Sequence, residues 1–330
     1  MRSGLLSPSR LRLAAQVGFA AFLAWTCARF FAHVAWATGQ SDVWGAKPPA
    51  VEGFLPISAL MAAKRLVFTG QWDPIHPAGL TIFLAILATA LLWRKGFCGQ
   101  LCPVGLASNL LERLGHRLGL TRRPGQLGRR ILAAPKYLLL AGFGYLALGM
   151  NAADIESFLH SPYNMVADTR MLAFFQQPSG TTLSVLGFLA VMSVVVPAFW
   201  CRALCPYGAL LGLVAWLSPV AMVRDEASCV HCGRCAKACP MALPVDALTR
   251  VSSPECQGCV ECVGACPVPG CLGVSAANRR LPWWILAAGT LAVLVVASVL
   301  ADALGYWQSP LPPQMVRRMH MLMLGQMPDF

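Results

Sequence analysis

Charge is what this sequence has little of. Acidic and basic side chains make up 12% of its 330 residues, against 57% hydrophobic. A soluble globular domain carries about twice that share of charge, so a purely soluble protein is excluded. Histidine is scarce too, at six residues, and none lies deep inside a long apolar run. That excludes a stack of haems held by paired histidines across a bilayer. The net charge of +12 does not indicate nucleic-acid binding, because the basic residues gather at the flanks of apolar runs.

Cysteine, by contrast, is plentiful and patterned. Cys229, Cys232, Cys235, Cys239 and Pro240 form C-x2-C-x2-C-x3-C-P, and Cys256, Cys259, Cys262, Cys266 and Pro267 repeat it. This spacing suits two [4Fe–4S] clusters: short gaps bring three sulfurs to one small volume, and the fourth Cys of each run ligates the other cluster. Cluster I is therefore assigned Cys229, Cys232, Cys235 and Cys266. Cluster II is assigned Cys256, Cys259, Cys262 and Cys239. Zinc would use close pairs of ligands rather than two complete four-Cys runs. Disulfides would need an oxidising compartment.

Five stretches are long and apolar enough for transmembrane spans: Leu13–Val34, Pro77–Trp93, Ile131–Met150, Thr182–Trp200 and Leu281–Ala301. The apolar run Gly208–Val223 contains Pro219 and reads as a re-entrant or interfacial helix. Most basic residues fall in the head, in the loop after the second span and in the loop after the fourth. The positive-inside rule then puts the N-terminus and the cysteine runs in the cytoplasm and the C-terminus outside. The first span is expected to be an uncleaved anchor, its apolar run being too long for a signal peptide.

A second cysteine pattern is an internal repeat. Phe97-Cys98-Gly99-Gln100-Leu101-Cys102-Pro103-Val104-Gly105 matches Trp200-Cys201-Arg202-Ala203-Leu204-Cys205-Pro206-Tyr207-Gly208. Each copy closes a span and opens a short helix, with Pro at its first position. Each second Cys then becomes an N-cap, where the helix dipole favours a thiolate. Three readings of Cys98, Cys102, Cys201 and Cys205 stay open: an additional metal or iron–sulfur centre, a pair of redox dithiols, or thiols that pack. Cys27 reads as packing and Cys271 as a bystander.

A quinol site needs an apolar pocket and a proton acceptor. His76 with Asp73, at the outer entry to the second span, is the best candidate, the plain alternative being that the two merely fix the loop. His33 and His76 holding a haem is a weaker reading. Arg29 is close enough to the outer end of its span to snorkel. Met315, Met319, Met323 and Met327 recur every fourth residue. They read as the apolar face of a surface helix, the alternative being a Cu(I) site.

With these motifs in place, the chain resembles the membrane polyferredoxins typified by NapH, the C-terminal membrane part of NosR, and MauN-type ferredoxins. The resemblance covers roughly residues 50–275 and rests on the paired CxxxCP units and the tandem cluster runs. It implies electron transfer between the quinone pool and a respiratory or maturation partner. The large outer flavin-binding region of NosR-type proteins is lacking, so no covalent flavin is expected. The rivals are a copper reductase of a related type, such as CcoG, and a non-catalytic redox sensor or assembly factor. The expected fold is an all-α polytopic membrane protein of about five transmembrane helices with a small ferredoxin-like two-cluster insert on the cytoplasmic side of a bacterial inner membrane. Its expected parts are an anchor (1–38), a membrane domain with the duplicated units (39–223), a two-cluster ferredoxin domain (224–275), and a last span with an outer tail (276–330).

Overall fold

Proline sets many of the helix starts. Pro56, Pro103, Pro162 and Pro206 each occupy the first turn of a helix, where a missing N–H costs nothing and φ is already helical. Pro8, Pro77 and Pro313 also open helices. The structure is a computed structural model and describes residues 7–324.

The chain is mostly helical. Pro8–Ala37, Gln126–Gly149 and Ile285–Ala303 are long and apolar enough to cross a membrane. Ala167–Gln176 and Gly180–Val195, joined across a bend of 79°, make a fourth if they count as one broken span. Pro77–Trp93 is strongly apolar but has 17 residues, short of the roughly 20 that a bilayer core needs. The described helices thus give three or four candidate spans by length, where the sequence suggests five.

Local chemistry moves three expected boundaries. Helix Gly180–Val195 does not run on to Trp200: Pro197 disfavours helical backbone just before it, Ala198 has φ +53°, and a separate helix, Phe199–Ala203, follows. The run Gly208–Val223 is not one helix. Its helix is Pro206–Trp216, and Val220 already begins a strand. Leu281 ends a strand, and the last long helix starts at Ile285, beyond Pro282.

The all-α expectation also gives way. Strands β1 (Val220–Arg224), β2 (Arg250–Val251), β3 (Leu272–Ala276) and β4 (Arg279–Leu281) form an antiparallel sheet in the order β2-β1-β3-β4. Val220 pairs with Ala276 and Arg224 with Leu272. Ala277 and Asn278 both have positive φ in the β3–β4 turn, as a tight two-residue hairpin requires.

Two compact units result. One comprises residues up to Ala20, Ile86–Gly142 and Gly187–Val293. Its core packs Val220, Met222, Val251 and Val274 of the sheet with Met241, Leu243, Val245 and Leu286. The other comprises Ala21–Ala85, Phe143–Leu186 and the chain from Leu294 on. Its core includes Met61, Ala62, Leu80, Ile155 and Leu159. There Lys64 Nζ donates to the carbonyls of Ala147, Leu148 and Met150 at 2.6–3.0 Å, a cationic cap on the end of helix Gln126–Gly149.

Candidate iron–sulfur centre

The two C-x2-C-x2-C-x3-C-P runs share one backbone. His231 and Gly233 in the first, and Gly258 and Val260 in the second, take positive φ of 49°, 67°, 66° and 55°. Each run then enters a short helix, Arg234–Ala238 or Glu261–Ala265. Alternating handedness aims successive backbone N–H groups inward, a concavity suited to anions. A β-branched residue at positive φ is strained, so the surrounding packing must impose Val260's conformation.

These turns gather the cysteines around two cavities. The first is lined by Cys229, Cys232, Cys235 and Cys266, with Arg224, His231 and Asp246 at its wall. The second is lined by Cys239, Cys256, Cys259 and Cys262, with Met222, Met241, Leu243, Val245, Val251 and Val260 around them. Each cavity thus takes three cysteines from one run and the fourth from the other. The donor set fits a cubane in each, since four thiolates are what such a cluster requires. Among the described residues, no three His, Cys, Asp or Glu side chains are grouped to hold a single metal ion.

The cavities differ in polarity. Cys232 is exposed, whereas Cys239, Cys256, Cys259 and Cys262 are buried. Burial pushes the Cys259 thiol up to about 12 and Cys262 well above its usual value. Cys239 is raised for the same reason, although its sulfur accepts the Leu243 N–H at 3.4 Å. Cys229 goes the other way: the His231 backbone N–H and the Arg224 guanidinium favour its thiolate.

The duplicated units are built against the second cavity. In the first copy, Gln100 Nε2 donates to Gly258 O at 2.8 Å, and Gly99 packs on the Gln257–Cys259 backbone. In the second copy, Arg202 Nη2 donates to Pro240 O at 2.7 Å. Arg94 and Lys95 reach the carbonyls of Ser253 and Pro254, and Lys136 Nζ lies 2.5 Å from Glu255 Oε2. Cys102 and Cys205 are N-caps, and Cys205 Sγ accepts the Gly208 N–H. Cys98, Cys102, Cys201 and Cys205 are close enough to influence one another electrostatically. Burial nonetheless raises Cys98 and Cys102 and pushes Cys201 up to about 12. At the N-cap Cys102 the dipole argument for a thiolate is thus outweighed by desolvation.

In the other unit, His76 and Asp73 are both buried but are not paired through their side chains. Asp73 Oδ1 accepts the backbone N–H groups of Ile75 and His76 at 2.9 and 3.3 Å. The His76 ring instead donates from Nε2 to Asn164 O at 2.8 Å and has Nδ1 3.4 Å from Glu52 Oε1. Lys47 Nζ bridges Glu52 Oε1 at 2.9 Å and Asp168 Oδ2 at 2.7 Å. Burial and the Lys47 charge would lower His76, but Glu52 together with Asp168 more than offsets them and the His76 pKa is raised; burial would raise Glu52, but Lys47 and His76 hold it low. Sequence reading misses Lys47, Glu52 and Asp168, because the third lies far along the chain from the other two. His33 donates from Nδ1 to Gly45 O at 2.7 Å, beside Phe30, Trp36 and His320.

The tail forms helix Pro313–Leu324, with Met315 exposed. It is more than a surface helix: His320 is buried and its Nε2 lies 2.8 Å from Thr169 Oγ1. Met327 and the Met323 side chain lie outside the described residues. Cys27 and Arg29 are exposed on helix Pro8–Ala37.

Comparison with known proteins places family models on the cysteine-bearing segments. A family model described as "4Fe-4S binding domain" matches residues 75–121 and again 179–222, the two CxxxCP units. A "4Fe-4S dicluster domain" model matches residues 221–267. YccM of Escherichia coli (strain K12), whose name proposes an electron transport role, is 41% identical over 292 residues, covering 86% of this chain and 81% of that protein. The regulatory protein NosR of Pseudomonas aeruginosa is 33% identical over 222 residues, 64% of this chain but 29% of NosR. The ferredoxin-type protein NapH of Haemophilus influenzae is 26% identical over 224 residues, 64% of this chain and 73% of NapH. No solved structure matches.

Proposed function

This chain belongs to the membrane-associated 4Fe–4S polyferredoxin family, an iron–sulfur electron-transport family, and from that premise we propose that it carries two [4Fe–4S] clusters and links the quinone pool to a protein redox partner. The observation that carries the reading is the division of eight cysteines between two cavities in a chain built from apolar helices. Cluster I takes Cys229, Cys232, Cys235 and Cys266; cluster II takes Cys239, Cys256, Cys259 and Cys262. When bound, such clusters supply one-electron transfer. The chain's own residues hold the thiols, exclude water from the second cavity with Met222, Met241 and Val260, and leave Cys232 at the surface beside the first.

We place five spans in a bacterial inner membrane, counting Pro77–Trp93 as the second and the bent pair as the fourth. The charge distribution puts the N-terminus and the ferredoxin segment in the cytoplasm and the C-terminus outside. His76 is the proton acceptor for quinol, with Glu52 as its ionised partner and Asp73 ordering its backbone. His76 is 2% exposed, so quinol access requires movement of the loop around it.

The test uses the full chain, purified without oxygen and mixed with menaquinol or ubiquinol while cluster absorbance and paramagnetic signals are followed. Reduction by quinol, lost in His76→Ala, is the expected result. Reduction only by a low-potential soluble donor would sink the quinol assignment and reverse the direction.

A further inference from the structure

The first cavity contains one thiol more than a cubane needs. Cys271 lines it together with Cys229, Cys232, Cys235 and Cys266. It is 2% exposed, and it interacts with the sulfurs of both Cys229 and Cys266. Its own sulfur lies 3.5 Å from Asp225 O. The second cavity has no such spare among its lining residues: beyond its four cysteines, its sulfurs are the thioethers of Met222 and Met241.

The two candidates for the fourth iron are held differently. Cys271 directly precedes β3, and Asp225 N donates to Cys271 O at 2.7 Å, so the β1–β3 pairing fixes its backbone. Cys266 opens the segment Cys266–Gly270, in which Pro267, Pro269 and Gly270 are exposed. A thiol fixed by the sheet therefore stands beside one carried on an exposed turn.

We propose that Cys271 is a reserve ligand of the first cavity, the thiolate that takes over an iron when Cys266 is lost or displaced. The proposal rests on the two-cluster reading above. In the exchange, an Fe–S bond to Cys271 forms as the Fe–S bond to Cys266 breaks. The Cys271 S–H proton leaves and the released Cys266 thiolate takes up a proton, so neither electrons nor net protons are consumed. The arrangement protects the more exposed cluster against damage at its surface turn, a protection that the buried cavity does not need.

The experiment compares the full chain with Cys266→Ala, Cys271→Ser and the double variant, all purified anaerobically. Iron, acid-labile sulfide and the paramagnetic spectrum of the reduced protein are measured. Cys271→Ser should retain both clusters. Cys266→Ala should retain both, with one spectrum altered, and the double variant should lose about half the iron. Equal loss in Cys266→Ala and the double variant would overturn the proposal. If Cys266→Ala does not accumulate, oxygen-driven bleaching of Cys271→Ser decides. Loss of the first cluster several-fold faster than in the parent is expected, and an equal rate overturns the proposal. A parent chain with a single cluster removes the two-cluster reading itself, and this inference with it.

Discussion

Arg12 Nη1 lies 2.9 Å from Glu261 Oε1, joining the first long helix to the start of the short helix Glu261–Ala265 in the second cysteine run. The same guanidinium donates from Nε to Gly99 O at 2.7 Å, inside the first CxxxCP unit. One buried cation therefore ties helix Pro8–Ala37, one copy of the duplicated unit and one cluster run together. Arg12→Ala would leave a carbonyl and a partly buried carboxylate without their partner. A cost of about 2 kcal/mol is expected, read as a lower unfolding midpoint in detergent and faster iron release on chelator challenge.

Gly99 is a steric requirement of the second cavity. A Cβ there would overlap the Gln257 carbonyl oxygen and crowd Cys259 N, both backbone atoms that cannot swing away. Gly99→Ala should destabilise by about 1–3 kcal/mol and selectively reduce occupancy of the second cavity. Gly18→Ala, where nothing lies within 4 Å, is the matched control and should leave iron content unchanged.

Acid should empty the buried cavity first. Thiols must lose protons to bind iron, and burial holds three of the second cavity's cysteines, Cys239, Cys259 and Cys262, above their usual pKa, whereas in the first cavity burial raises Cys235 while the His231 backbone N–H and Arg224 lower Cys229. Raised ligand pKa values mean more bound protons to displace, so affinity falls more steeply as pH drops. In anaerobic reconstitution from about pH 9 to about pH 6, the signal of the buried cluster should disappear before that of the exposed one. The opposite order would contradict the assignment of cavities.

The Lys47 network makes a separate contribution to stability. Lys47→Met would leave Glu52 and Asp168 buried without their common cation, at about 3 kcal/mol. The Glu52 pKa is lowered in the fold. Its contribution is therefore present above the unfolded carboxylate value of about 4.3 and lost as pH falls through the lower folded value. Thermal unfolding across acid pH should show this loss in the parent and much less of it in Glu52→Gln.

Much of the cluster region was legible because ligand spacing is local chemistry: the cysteines, the two prolines after them and the CxxxCP repeat lie within short windows. The sheet was not, because β2 has two residues and β4 three, too short for alternation to register. The break at Pro197 was readable from the proline but was overridden by the apolar run around it. The His76 environment depends on Asp168 and Asn164, brought in from distant sequence, and no local pattern announces them. Cys271 read as a bystander because it lies outside the repeat, and only the cavity shows what it faces.

The most direct test of the two crossed clusters is iron and sulfide content together with paramagnetic spectra of Cys239→Ala. This variant removes the fourth Cys of the first run, which lines the second cavity. The account predicts about eight irons in the parent and about four in the variant, with the exposed cluster's spectrum intact and the buried one's gone. Loss of the exposed cluster with retention of the buried one would contradict it.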